Sequence, residues 1–227
     1  SLSKQYGSLP LKKLANYTYD ASGRLKDKKL SPDFNSNAGI ESLKYEYNLH
    51  GMLIGINRDY ALSVSNLAQW DHYFGMYLGY DNKDNKFADN QYNGNLTGIL
   101  WKTQGDNHPR KYDYVYDNAN RLTAANFLQK EKPSETNWLN TSVDFSMTNV
   151  SYDENGNLNS MNHKGIVPGN SSPIFVDKLE YAYMQVAGGG AWSNKLNSVK
   201  DNSPGLSASN NGLFGEFKNE FYKTAGL

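Results

Sequence analysis

Apolar and polar positions along the chain alternate in short runs and almost never recur at helical spacing. In Tyr17-Thr18-Tyr19, Tyr45-Glu46-Tyr47, Tyr114-Val115-Tyr116 and Tyr181-Ala182-Tyr183, an aromatic occupies every second position. Alternate residues of a strand share a face, and aromatics favour half-buried pleated surface, so each run predicts a strand with its tyrosines on one side. A turn signal follows at a nearly fixed offset. The clearest copy is Asp20-Ala21-Ser22-Gly23-Arg24-Leu25, in which Asp bonds its own backbone, Gly accepts positive φ, and Leu opens a return strand.

The phrase recurs six times. The second copy carries Tyr45, Tyr47, Gly51 and Leu53. The third opens at Leu78-Gly79-Tyr80-Asp81 and closes, after a longer loop, with Gly94 and Leu96. The fourth carries Tyr114, Tyr116, Asn120 and Leu122, with Asn120 at the Gly position. The fifth carries Tyr152, Gly156 and Leu158, and the sixth Tyr181, Tyr183 and Leu196. The copies start at residues 17, 45, 78, 114, 150 and 181, in steps of 28 to 36 residues. Each predicts one β-hairpin plus a connector. The best helical candidate is 61–73, after Asp59, on the spacing of Leu62, Leu67 and Trp70. Residues 129–140 and 200–215, rich in Pro, Ser, Asn and Gly, read as loops. The repeat runs through both, so neither marks a domain boundary, and 1–227 reads as a single domain of about six hairpins.

Composition sharpens this picture. The 227 residues include 17 Tyr, 20 Gly and 29 Asn, no Cys, and equal numbers of acidic and basic side chains. Zero net charge speaks against a nucleic-acid-binding domain. The lack of Cys excludes disulfides and thiolate metal sites. No apolar run is long enough to span a membrane, and no signal peptide opens the stretch. Mean hydropathy is low, yet aromatics are abundant and net charge is nil, which is unlike a disordered chain.

Candidate chemistry is sparse. His50, His72, His108 and His163 show no metal-ligand spacing. Asp71-His72 is adjacent in sequence, an arrangement that turns the two side chains apart in a strand. Asp81 through Asp89 places Lys83 and Lys86 where a calcium loop needs an oxygen ligand and Gly, so it reads as a polar hairpin loop. Gly188-Gly189-Gly190 lacks the lysine and helix of a phosphate loop and reads as a hairpin tip. Of the four tryptophans, Trp101 lies in a strand-like run, whereas Trp138 and Trp192 fall in loops. These two are the candidates for stacking on a sugar ring. No catalytic, metal or cofactor-binding residue is expected, and the chain does not read as an enzyme.

The phrase Tyr-x-Tyr-Asp-x-x-Gly-Arg-Leu resembles the YD repeat of Rhs proteins and of the related toxin-complex shells. Tyr45–Asn57, Phe74–Asp81, Gln91–Thr103, Tyr112–Asn126, Tyr152–Leu158 and Leu179–Asp201 look like successive segments of Bacteroidetes-type Rhs repeats. The resemblance implies a spiralling β-sheet that curls toward a hollow shell around a C-terminal toxin or effector, in a protein exported or displayed at the cell surface. The family's core region, with its autoprotease signature, and its variable toxin tail have no counterpart here. Phe221–Leu227 looks like a seventh repeat cut at its Gly turn. A fragment of a longer protein is therefore expected.

The expected fold is all-β: an antiparallel sheet of successive YD-repeat hairpins, twisted and curled into a partial shell or open barrel-like strip. The expected role is a structural segment of that shell or scaffold. The alternative is a carbohydrate- or cell-surface-binding, cell-wall-associated module using Trp138 and Trp192. The expected partners are the remainder of the longer chain, a glycan under the alternative, and further copies added through unpaired sheet edges.

Overall fold

The computed structural model describes residues 1–5, 7–64, 72–81, 85–167, 169–185 and 192–203. The described residues are all-β apart from one short helix. Its strands are β1 (Leu2–Lys4), β2 (Lys12–Tyr19), β3 (Leu25–Leu30), β4 (Glu41–Tyr47), β5 (Leu53–Ile56), β6 (Phe74–Gly79) and β7 (Gly98–Thr103). These are followed by β8 (Arg110–Tyr116), β9 (Leu122–Gln129), β10 (Met147–Tyr152), β11 (Leu158–Gly165), β12 (Ile174–Gln185) and β13 (Trp192–Asp201). Hydrogen-bonded neighbours follow chain order from β1 to β13, so the sheet has no crossovers and its order is linear. The six repeats become the six hairpins β2–β3, β4–β5, β6–β7, β8–β9, β10–β11 and β12–β13.

By contacts the chain falls into two compact units. One is Ser1–Lys111 with Gln129–Trp138; the other is Tyr112–Leu128 with Leu139–Leu227. In the first, the core is Ala61, Tyr77, Phe87 and Leu100, with Leu62 and Trp138 packed against it. Phe87 reaches this core from the loop expected to be a polar hairpin tip, and its ring lies 5.6 Å from that of Tyr77. In the second, Phe127 is 1% exposed and sits edge-on to Tyr112 and Phe145, with ring centroids 5.4 and 5.3 Å away.

The helix, α1 (Arg58–Leu62), is shorter than expected and starts earlier. Asn57 precedes it in a left-handed conformation, φ 44°, which turns the chain out of β5 and into the helix. The rest of the expected helical stretch, 65–71 with Leu67 and Trp70, lies outside the described residues. Gly75 of β6 passes directly under α1. A Cβ there would stand 2.6 Å from the Asn57 carbonyl oxygen and 2.8 Å from the Ala61 nitrogen, so only glycine admits the helix at this distance. The expected loop 129–140 begins at the last residue of β9 and continues as a connector. The glycine tip at 188–190, the loop from 204 onward and the expected seventh repeat lie outside the described residues.

Candidate functional site

The repeated residues build one local device. The Asp20 carboxylate accepts the amides of Ser22 and Arg24, both at 2.9 Å, and the Arg24 Nε at 2.7 Å. Gly23, φ +77°, donates its amide to the Asp20 carbonyl, and the Asp20 amide donates to the Arg24 carbonyl. Asp117 repeats the arrangement with Ala119, Asn120 and Arg121. Asp153 does so with Asn155, Gly156 and Asn157. Asn48 repeats the backbone part with His50, Gly51 and Met52. A side-chain oxygen two and four residues from the amides it accepts ties each turn shut, and the fourth position needs positive φ. Asn120 meets that need at +62° without being glycine.

A β-bulge follows the turn in the first, second, fifth and sixth hairpins. The second tyrosine pairs with the leucine of its own turn: Tyr19 with Leu25, Tyr47 with Leu53, Tyr152 with Leu158, Tyr183 with Leu196. One position earlier the register has shifted by a residue, leaving Lys26, Ile54, Asn159 and Asn197 as the extra residue of the return strand.

The leucine carbonyl beside the bulge is taken by the next repeat. Tyr47 Oη donates to the Leu25 carbonyl at 3.0 Å, and Tyr80 Oη to that of Leu53 at 3.2 Å. In the second unit, Tyr152 Oη donates to Leu122 at 2.7 Å and Tyr183 Oη to Leu158 at 2.9 Å. The arginine closing a turn stacks on the same tyrosine: Arg24 lies 4.8 Å from the Tyr47 ring centre and Arg121 4.6 Å from that of Tyr152. Arg121 also donates to the Asp153 carbonyl at 3.1 Å. Asn157, in the arginine position of the fifth repeat, bonds Asn194 at 3.0 Å instead. A hydrogen bond contributes about 1 kcal/mol and an exposed cation–π contact about 0.5–1, so each rung is worth about 1–2 kcal/mol.

The first tyrosines of the pairs line the strand face beside this ladder. Tyr17 lies under the Lys28 ammonium at 5.9 Å, and Tyr114 stacks on Tyr112 with centroids 6.2 Å apart. Tyr19 is 62% exposed and Leu196 is also exposed. Tyr80 and Leu96 flank the third hairpin just outside β6 and β7, and Gly94 takes φ +91° between them. In the third hairpin the amides of Gln91 and Thr97 donate to the carbonyls of Tyr80 and Gly79, closing its longer loop.

Burial raises the ionisation of Tyr45, Tyr60, Tyr80, Tyr112, Tyr114, Tyr116, Tyr181 and Tyr183 above the usual phenol value of 10.0. The folded chain therefore holds these protons more tightly than the unfolded one. The stability they lend is fully present below pH 10 and is lost as pH rises through their folded values. Lys102 and Lys130 act in the opposite sense: burial lowers their values from 10.5, so the folded state gains as the pH climbs toward 10.5. Eight phenols outweigh two amines, and a cooperative alkaline unfolding above pH 10 is expected. Phenolate absorbance and circular dichroism should then change together. Phenolate appearing fully before the sheet signal is lost would contradict this.

A second cluster, absent from the sequence reading, ties β4, β6, β7 and α1 together in the first unit. The buried Glu41 carboxylate accepts Asn57 Nδ2 at 3.0 Å and the Tyr73 amide, and lies 2.9 Å from His72 Nδ1. Asn57 also donates to the Phe74 carbonyl and accepts the Lys44 amide. The Lys102 ammonium, on a residue 1% exposed, donates to Ser63 Oγ at 2.7 Å and lies 4.5 Å from the Tyr60 ring centre. The acid beside His72 is thus Glu41, 31 residues away, while Asp71 lies outside the described residues. The cluster's bonds run among its own members and the backbone, an arrangement that braces the fold.

Trp138 is half-buried. Its ring packs on the core of the first unit, with the Lys130 and Lys111 ammoniums 4.8 and 5.3 Å from the ring. Trp192 opens β13, and its side chain lies outside the described residues. Among the described residues, no group of three or more His, Cys, Asp or Glu is placed to hold a metal, and no helix is long and apolar enough to cross a membrane.

No family model and no curated protein matches the chain. Solved structures do. The crystal structure of TcdB2-TccC3-TEV is similar with a TM-score of 0.51 and 15% sequence identity, over 84% of this chain. The chain spans 8% of the length of that solved chain. The likeness is one of fold.

Proposed function

We propose that the chain is a structural YD-repeat segment of an exported or cell-surface Rhs-like protein, one stretch of a β-shell or scaffold that encloses or displays a C-terminal effector. In this reading the segment carries out no catalysis and uses no cofactor. The observation that carries it is the ladder. In each described rung a repeat closes its own turn and offers one carbonyl to the next, joined in three of the four by an arginine or amide side chain, so a wall of any length grows from nearest-neighbour terms. The likeness to a small part of TcdB2-TccC3-TEV supports the reading, as does the YD phrase itself.

The test uses the full-length gene product. Its segment C-terminal to the repeats is expected to resist limited proteolysis while the repeats stay folded. A substitution that unfolds the repeats, such as Phe127→Ala, should expose it. Equal cleavage of that segment in both proteins, or no such segment at all, would remove the enclosing role.

A further inference from the structure

One row of side chains crosses the sheet of the second unit. Met147 of β10 stands directly opposite His163 of β11, and His163 stands directly opposite Asp177 of β12. Side chains paired in this way share a face, with Cβ atoms about 5 Å apart. Met161 lies two residues before His163 on β11, so it shares that face about 7 Å along the strand. Met147, Met161 and His163 together line a groove of about 380 Å³, and Tyr112, Tyr114 and Phe145 line it with them.

The row also orients the imidazole. His163 Nδ1 lies 3.5 Å from Asp177 Oδ2. Asp177 belongs to β12 and Met147 to β10, the strands on either side of β11. The second ring nitrogen, Nε2, has no hydrogen-bond or ion-pair partner among the described residues. A ligating histidine typically has a carboxylate on its other nitrogen, which sets the tautomer and holds the ring.

The donors on this groove are of one chemical kind. Two thioethers and one imidazole are neutral and polarisable, and the chain has no cysteine to supply a thiolate. Zinc is held by thiolates, imidazoles and carboxylates, and calcium and magnesium by oxygen. The carboxylate of the row is turned to the imidazole instead. Thioether sulfur selects monovalent copper, and imidazole suits it as well. The aromatic rings of the groove present π faces that attract a cation.

The geometry points to a Cu(I) site built from the Met147 and Met161 sulfurs and His163 Nε2, with Asp177 as the positioning residue. Two donors share a strand and the third comes from its neighbour, so no short motif announces the site in sequence. The site lies beyond the structural role of the repeats. An ion held there bridges β10 and β11, and it stabilises the second unit because it binds the folded state alone.

The experiment follows the five methionine methyl groups of the 227-residue chain by ¹H–¹³C NMR. Cu(I) is added without oxygen in a buffer containing acetonitrile, and silver nitrate in chloride-free buffer is the air-stable probe. The Met147 and Met161 methyl signals are expected to shift and to saturate at one equivalent, while those of Met52, Met76 and Met184 stay in place. Met147→Leu and Met161→Leu keep side-chain volume and should each weaken binding at least about tenfold. The double variant should abolish binding with circular dichroism unchanged, and His163→Gln should also cost at least about tenfold. Met52→Leu, outside the groove, should leave affinity within about twofold. Zinc nitrate should leave both methyl signals where they are. Methyl signals of Met147 and Met161 that do not move with either monovalent ion overturn the inference. So does undiminished affinity in the double variant, or zinc bound as tightly as Cu(I).

Discussion

Phe127→Ala is expected to cost about 3–5 kcal/mol, most of what holds the second unit together. Phe127 is 1% exposed, and its ring closes the edge-to-face pair of contacts with Tyr112 and Phe145. Its own amide donates to Ser146 Oγ at 2.9 Å, which pins the strand while the ring fills the space. The other fully buried apolar residues of this unit are small, Ala125, Val150 and Val167 among the described residues, so no neighbour can swing in to refill the cavity. Domains of this size are stable by only about 5–15 kcal/mol, and a loss of this order brings the unit close to unfolding at ordinary temperature. Urea titration followed by far-ultraviolet circular dichroism measures it. Phe34→Ala, at an exposed ring, is the reference and should shift stability by less than about 0.5 kcal/mol. A cost for Phe127→Ala below about 1 kcal/mol would show that this ring does not close the unit's core.

Glu41→Ala should cost about 3 kcal/mol in the first unit. The carboxylate is buried, accepts from Asn57 and the Tyr73 amide, and lies 2.9 Å from His72 Nδ1. Removing it strands the buried Asn57 amide, at about 1–3 kcal/mol, and takes the acceptor from the Tyr73 amide as well. The effect spreads because Asn57 holds three elements: its side chain also bonds the Lys44 amide of β4 and the Phe74 carbonyl of β6, while its backbone opens α1. Glu41→Gln keeps an acceptor oxygen and should lose less than half as much. Equal losses for the two variants would assign the effect to charge, and a negligible loss for Glu41→Ala would show that the cluster does not brace the fold.

What was legible in the sequence was everything local. An alternating tyrosine pair and an Asp-x-x-Gly phrase act within ten residues, and they foretold six hairpins at the correct places, including the one in which Asn120 takes the Gly role. The bulges were not legible, because a bulge is a one-residue slip between two strands and leaves the order of side chains unchanged. The bond from Tyr152 to Leu122 spans 30 residues and that from Glu41 to His72 spans 31. Neither follows from any short pattern. Phe87 shows the same limit from the other side: a lone aromatic in a polar stretch folds inward because β6 offers Tyr77 and β7 offers Leu100. The helix was expected at 61–73, and its earlier start at Arg58 was not legible because it depends on Asn57 in a left-handed turn and on Gly75 beneath it. Trp138 was read as a loop residue, and its ring nonetheless packs on the first core, through contacts made by lysines more than seven residues away in sequence.

The ladder has a direction. In every described rung the acceptor precedes the donor along the chain: Leu25 before Tyr47, Leu53 before Tyr80, Leu122 before Tyr152, Leu158 before Tyr183. A ribosome releases polypeptide in that same order. Each hairpin therefore emerges to meet a carbonyl already held in place by a finished turn, over separations of only 22 to 30 residues. The sheet can be laid down vectorially, one course on the last, with no need to wait for residues not yet translated. A wall of great length then costs no more loop closure per repeat than a short one.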